Sequence, residues 1–146
     1  MKLAHGLHLA YCTNIHRGES WEETFHSLKH DTMAVKQQVA ASEPYAIGLR
    51  LGAAAARELS QGSNLRDFRH WMDQNNCYVF TINGFPFGTF HGTRVKEDVY
   101  RPDWTSQERL DYTNLLFDLL VEMLPEGVEA VSYTHLRAHE TKANLV

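Results

Sequence analysis

The chain has 146 residues, which is the usual size of one domain. Its composition, with 43% hydrophobic, 11% aromatic and 22% charged residues, is that of an ordinary soluble globular protein. The 14 basic and 18 acidic residues form no long run of one sign, so the charge pattern argues against a nucleic-acid partner held through its phosphates.

No apolar stretch approaches the roughly 18 residues of a membrane span. The first residues, MKLAHGLHLAYC, are interrupted by His5 and His8 and contain no signal-peptide core. A cytoplasmic location without a membrane span is therefore expected. Cys12 and Cys77 are too few for a disulfide framework and are expected to be small buried core residues.

The first predicted strand is His8–Thr13, and a helix follows it. Ser20 and Glu23 have the spacing of a capping box and mark the start of that helix. Five apolar residues fall on one helical stripe, which predicts that this face packs on the core: Trp21, Phe25, Leu28, Val35 and Val39.

The second predicted strand is Tyr45–Leu51, and Ala53–Leu59 follows as a short helix. Another helical stripe begins at Leu65 and leads into the third strand, Cys77–Ile82, which is rich in aromatic and β-branched residues. An irregular stretch then runs to Trp104.

A second capping box is predicted at Thr105 and Glu108, and a strongly helical run continues from it to Leu124. Val128 would begin a fourth strand.

Strands that alternate with helices in this way predict βαβ units and a parallel sheet. A doubly wound sheet should be apolar on both faces, whereas each strand here has one large apolar face and one small or polar face. The period of two places Cys77, Val79, Thr81 and Asn83 together on the small face of strand three. The sequence thus favours a (β/α)8 barrel with Asn14, Arg50 and Asn83 converging at the carboxyl ends of the strands, where barrel sites lie.

Several stretches resemble the N-terminal part of the metabolite traffic protein EboE family, above all NGFPFGTFHGTRVKEDVYRPDWTSQERLDYT, with HGLHLAYCTNIHRGESWEETF and GLRL before it. The resemblance covers residues 1–129 and implies a xylose-isomerase-like TIM barrel that handles a small polar biosynthetic precursor. Chains of that family are much longer, so residues 1–130 are expected to form a partial barrel with the first three βα units and the start of a fourth.

The last residues, VSYTHLRAHETKANLV, have a separate explanation. VSYTHLRAHET is the translation of a transposon-end adapter used in short-read sequencing libraries. We therefore interpret Val131–Val146 as an artefactual, non-native tail and exclude it from the fold. The helical spacing of His135, His139 and Glu140 then predicts no metal site.

A barrel fragment cannot close, so both edge strands would expose unpaired backbone groups. The fragment itself is expected to be aggregation-prone and inactive, and any function belongs to the longer parent protein.

Four candidate substrate-binding residues lie at the ends of the first three strands, and each has a plainer alternative. Asn14 and His16 would contact substrate or metal, or be solvated loop residues. Arg50 would bind a substrate carboxylate or phosphate, or form a structural ion pair. Asn83 would hydrogen-bond substrate, or stabilise the Asn-Gly turn that it begins.

The irregular stretch after strand three supplies the remaining candidates, since loops of this length are often lids. Phe85 and Phe87 would line a pocket or attach the loop to the barrel rim. Lys96 would reach an anion or belong to a solvated charge cluster. The resemblance makes His91 a candidate ligand of a divalent metal ion, with a hydrogen-bonded loop histidine as the alternative.

Two classes of function remain open for the parent. It would bind or transfer a metabolite without changing it, as the family name implies. Alternatively it would be a metal-dependent isomerase or epimerase, or more remotely an endonuclease, of the same barrel superfamily. The sequence does not identify protein partners or decide whether catalysis occurs.

Overall fold

The computed structural model describes residues 1–88 and 100–128, which form a mixed α/β unit. Its strands are β1 (Ala10–Cys12), β2 (Tyr45–Arg50) and β3 (Cys77–Asn83). Its α-helices are α1 (Trp21–Ser27), α2 (Met33–Val39), α3 (Ala53–Leu59), α4 (Asn64–Gln74) and α5 (Gln107–Met123), and a π turn, Leu28–Thr32, joins α1 to α2.

The strands form one parallel sheet in the order β1-β2-β3. All six residues of β2 are buried, as expected for a central strand with a neighbour on each side. Its register places Arg50 opposite Asn83 at the carboxyl end of the sheet. The predicted parallel α/β class is therefore confirmed.

The hydrophobic core lies between the helices and the face of the sheet that carries Ile47, Leu49 and Leu51. Leucines of α3 and α5 pack there, and Phe68 of α4 is fully buried beside them. Each such side chain contributes roughly 1.5–3 kcal/mol on leaving water. An aromatic cluster extends this core between α1 and α4: Trp21, Phe25, Phe68 and Trp71.

Strand β3 departs from the predicted alternation of its faces. Val79 pairs with Ile47, but Thr81 pairs with Gly48, so Phe80 is an extra residue. The irregularity reverses the phase within the strand. Cys77 and Val79 therefore belong to the core with Ile82, and the prediction that they share a face with Asn83 was wrong.

The helix after β1 also changes phase, at its π turn. This turn contains one more residue than an α-helical turn, so later side chains rotate around the axis. Val39 is consequently exposed, against prediction, and Lys36 is buried in its place. The Lys36 ammonium donates to the carbonyls of Ala40 and Ala41 at 3.2 and 3.0 Å, which stabilises its charge at the helix end.

The two predicted capping boxes have different outcomes. Ser20 accepts from the Glu23 amide at 3.2 Å, and the Glu23 carboxylate accepts in return, so the first box is confirmed. The second does not form, because the Thr105 hydroxyl donates to Asp103 instead and α5 begins after Ser106. The Thr105 hydroxyl thus donates to a carboxylate instead of accepting from the Glu108 amide.

Two further expectations concern the edges of the described chain. Cys12 is exposed rather than buried, because β1 is an edge strand and its non-core face is uncovered at this position. The predicted fourth strand beyond Val128 and the tail at 131–146 lie outside the described residues.

Replacing Ser20 with alanine is expected to destabilise the chain by about 1 kcal/mol, because the Glu23 amide loses its hydrogen-bond acceptor. Urea unfolding followed by circular dichroism measures the loss. Ser106→Ala is the matched control, since Ser106 precedes α5 without a side-chain capping bond. Equal destabilisation by both substitutions would contradict the capping assignment.

Candidate functional site

Arg50 stands at the carboxyl end of the central strand, where the polar groups of the sheet meet. Its backbone amide donates to the Thr13 hydroxyl at 2.9 Å, and that hydroxyl donates to the Gly48 carbonyl at 3.3 Å. The residue after β1 is thereby tied to the end of β2. Asn83 lies opposite Arg50 in register, so the ends of all three strands contribute to one edge.

The Arg50 side chain is 5% exposed, and its guanidinium connects the loops on either side. Nη1 donates to the Gly18 carbonyl at 3.1 Å, in the loop before α1. Nη2 lies 3.4 Å from the Gly88 carbonyl and 3.8 Å from a Glu19 carboxylate oxygen. Arg50 therefore has the ion-pair role that was one of its two predicted alternatives.

Gly52 adjoins this arrangement, and a side chain there would make ordinary van der Waals contacts. A Cβ at Gly52 would lie 3.8 Å from Arg50 Nη2 and 3.5 Å from the Phe87 carbonyl. The Phe87 carbonyl also accepts from the Ala53 amide at 2.8 Å. The loop after β3 is thus fastened to the beginning of α3 directly beside the guanidinium.

A small cavity of about 10 Å³ adjoins Arg50, with Thr13, His16, Gly18 and Leu28 among its lining residues. This volume accommodates about one water molecule. Arg50 therefore borders a space that a single polar atom can fill.

His16 is fixed beside this cavity by contacts at both ring nitrogens. Nε2 lies 3.0 Å from the Tyr11 hydroxyl, and Nδ1 lies 3.7 Å from an Asp31 carboxylate oxygen. His16 is therefore held by neighbouring side chains, and the alternative that it is a solvated loop residue was wrong. Asn14 lies two residues earlier in the 3-10 turn Thr13–Ile15, and its side-chain oxygen is buried with no hydrogen-bond partner in the part of the chain that the structure describes.

Asn83 and the two loop phenylalanines have structural roles at this edge. The Asn83 side-chain oxygen accepts from the Phe85 amide at 3.1 Å, which is the turn role predicted as an alternative. Phe85 packs on Tyr100, and Phe87 packs edge-on against Tyr112 at 4.9 Å between ring centroids. Both rings attach the loop to its surroundings.

The remaining two predicted residues, His91 and Lys96, lie outside the described residues. Within residues 1–88 and 100–128, no three histidine, cysteine or acidic side chains come together as a metal site. Ligation of a divalent metal by His91 stays a prediction.

Arg109 and Tyr112 of α5 complete the edge, although the sequence analysis did not single them out. Tyr112 donates its hydroxyl to the Leu51 carbonyl, one residue after Arg50. Arg109 Nη2 lies 3.4 Å from the Gly84 carbonyl. Burial raises the pKa of Tyr112, and the positive charges of Arg109 and Arg50 oppose that rise. Arg109 and Tyr112 lie three residues apart on the buried stripe of α5, and this spacing in the sequence could have indicated that both are buried.

A larger cleft, of about 560 Å³, lies at the opposite, amino end of the sheet. It separates the start of β3 from the chain after α5, and Arg69 and Glu122 pair with each other at its rim at 3.1 Å. This ion pair is exposed to solvent. The carboxyl edge, where charge is buried, is the better candidate site.

Comparison with known proteins finds no family model, no curated protein and no solved structure that matches the chain. A search of the described helices for one long and apolar enough to cross a bilayer also finds none.

Removing the Tyr112 hydroxyl is expected to cost about 1–3 kcal/mol of unfolding free energy, because the buried Leu51 carbonyl loses its donor. Tyr112→Phe would be compared with wild type by urea unfolding.

Tyr45→Phe is the matched control, since the Tyr45 hydroxyl is buried but has no hydrogen-bond partner among the described residues. That substitution should be neutral or stabilising. A Tyr45→Phe variant as unstable as Tyr112→Phe would contradict the role given to the Tyr112–Leu51 bond.

Proposed function

We propose that this chain is the N-terminal wedge of a (β/α)8 barrel similar to the metabolite traffic protein EboE family. The barrel binds a small polar metabolite at the carboxyl ends of its strands. The observation that carries the proposal is the Arg50 guanidinium, which is buried at that end and contacted by the loops that follow β1 and β3. Barrel ligands bind at this edge.

The sheet supports the barrel geometry through the difference between its two faces. Core residues from the helices pack on the face of Ile47 and Leu49. The opposite face of β2 carries the small residues Ala46 and Gly48, and Cys12 of β1 is exposed. A doubly wound sheet would bury large apolar residues on both faces.

Exposed apolar side chains occur at both flanks of the unit and are consistent with further βα units. Leu110, Phe117 and Val121 of α5 are exposed at spacings of seven and four, which places them on one helical stripe. Leu7 and Leu9 are exposed at the opposite flank, immediately before β1. In a closed barrel, the next and the last βα units would cover these two flanks.

The groups at the edge favour a ligand that both donates and accepts hydrogen bonds. The planar guanidinium of Arg50 suits an oxygen acceptor, preferably an anionic one. The buried side-chain oxygen of Asn14 suits a donor such as a hydroxyl or an amine. These groups support a binding role directly.

Cysteine labelling tests the closed barrel. In the 146-residue chain, Cys12 is expected to react rapidly with a thiol reagent at about pH 8, whereas Cys77 is expected to react slowly. Cys77 is buried, and burial raises the pKa of its thiol to about 11. In the full-length protein expressed from the complete gene, Cys12 should be protected, because the inner face of a closed barrel is packed with side chains.

A Cys12→Ser variant is the control for assigning the label in both proteins. Rapid labelling of Cys12 in the folded full-length protein would mean that its face of the sheet remains open, and the barrel part of the proposal would fail.

A thermal-shift screen of small carboxylates, phosphates and sugars tests the binding role on the full-length protein. At least one class of compound is expected to raise the melting temperature of the wild type. Arg50→Lys should weaken the apparent affinity for that class about tenfold or more, because the ammonium cannot replace the guanidinium fork.

Arg66→Lys is the control, since Arg66 is exposed on α4 and pairs only with its neighbour Asp67 among the described carboxylates. A wild type that no compound stabilises, or a stabilisation that survives Arg50→Lys unchanged, would contradict the proposed binding role.

A further inference from the structure

A second arginine at the same edge is buried without a counter-charge among the described residues. Arg109 is 1% exposed, and within residues 1–88 and 100–128 no carboxylate oxygen lies within 4.0 Å of its guanidinium. Its Nε is buried with no hydrogen-bond partner in those residues. Burial of a charge in this state is costly unless another group compensates it.

The groups that do touch Arg109 compensate it only in part. Nη2 lies 3.4 Å from the Gly84 carbonyl, which is a long contact to a neutral acceptor. The guanidinium carbon lies 5.3 Å from the ring centroids of both Trp104 and Tyr112. Such cation–π contacts are weaker than a hydrogen-bonded ion pair.

Arg109 and Arg50 belong to one edge because they engage the same short loop. Arg109 contacts the carbonyl of Gly84 and Arg50 that of Gly88. Tyr112 contacts both neighbourhoods. The Arg109 guanidinium lies over its ring, and its hydroxyl donates to the carbonyl of Leu51, the residue after Arg50. Glu19 is the only described carboxylate within 4.0 Å of either guanidinium.

We propose that Arg109 is the anchor for an oxyanion group, a phosphate or a carboxylate, on the ligand that binds at the carboxyl edge of the sheet. This inference rests on the proposed function and narrows its ligand to an anionic metabolite. The oxyanion supplies the acceptor that Nε lacks and offsets the buried charge. Trp104, which lies against the guanidinium, is half exposed.

An alternative is that Arg109 only fastens the loop at Gly84 to α5. The two roles differ in what happens when the charge is removed. A purely structural arginine stabilises the ligand-free protein, so its loss lowers the melting temperature. An anion anchor destabilises the ligand-free protein, so an apolar side chain of similar length is neutral or stabilising there.

The test measures the melting temperature of the full-length protein in increasing phosphate, and separately in increasing succinate, at constant ionic strength. The wild type is expected to show a saturable rise with at least one of the two anions. Arg109→Met should melt at the same temperature as the wild type or higher without anion, and should lose the rise. Arg69→Met, at an exposed paired arginine of α4, should respond as the wild type does.

Arg109→Lys keeps the inference testable if the methionine variant does not fold. It retains the charge but not the planar fork, and should weaken the apparent anion affinity about tenfold or more. An unchanged response in the folded variants, or a wild type that responds to neither anion, overturns the assignment.

The outcomes also separate this inference from the proposed function. A polar ligand that requires Arg50 but is indifferent to Arg109→Met leaves the binding role intact and removes the anion anchor. A wild type that binds no ligand in either experiment removes both.

Discussion

The buried charge of Arg50 is the constraint on which this edge of the molecule depends. Strand β2 is buried along its whole length, yet its last residue carries a guanidinium. A charge in that position requires acceptors, and they come from Gly18 and Glu19 before α1 and from Gly88 after β3. One side chain therefore connects two loops at the carboxyl end of the sheet.

The hydrophobic core supplies the rigidity that makes this possible. The face of the sheet that carries Ile47 and Leu49 is packed by α3, α4 and α5, and Tyr112 extends from that core to the Leu51 carbonyl. Phe87 packs on Tyr112, so the loop after β3 is fixed by apolar contact as well as by hydrogen bonds. The polar edge is consequently held by side chains whose own positions are set by packing, which is what a binding site needs.

The sequence was sufficient for the parallel α/β class and for the position of Arg50, because β-branched runs and capping residues are local signals. It was not sufficient for the phase of β3 or of the first helix. The extra residue at Phe80 and the π turn at Leu28–Thr32 each shift the pattern of buried positions by one residue. Neither irregularity is marked by a distinctive amino-acid composition. Arg109 was missed because a charged residue near a helix start is usually solvated, whereas here tertiary packing buries it.

The most direct measurement is an experimental structure of the full-length protein determined with phosphate present. The account predicts a closed barrel in which Arg50 and Asn83 face its mouth, with an oxyanion within hydrogen-bond distance of Arg109. An open sheet with helices on both faces would contradict the barrel. A protein carboxylate paired with Arg109, with no anion at that edge, would contradict the anchor.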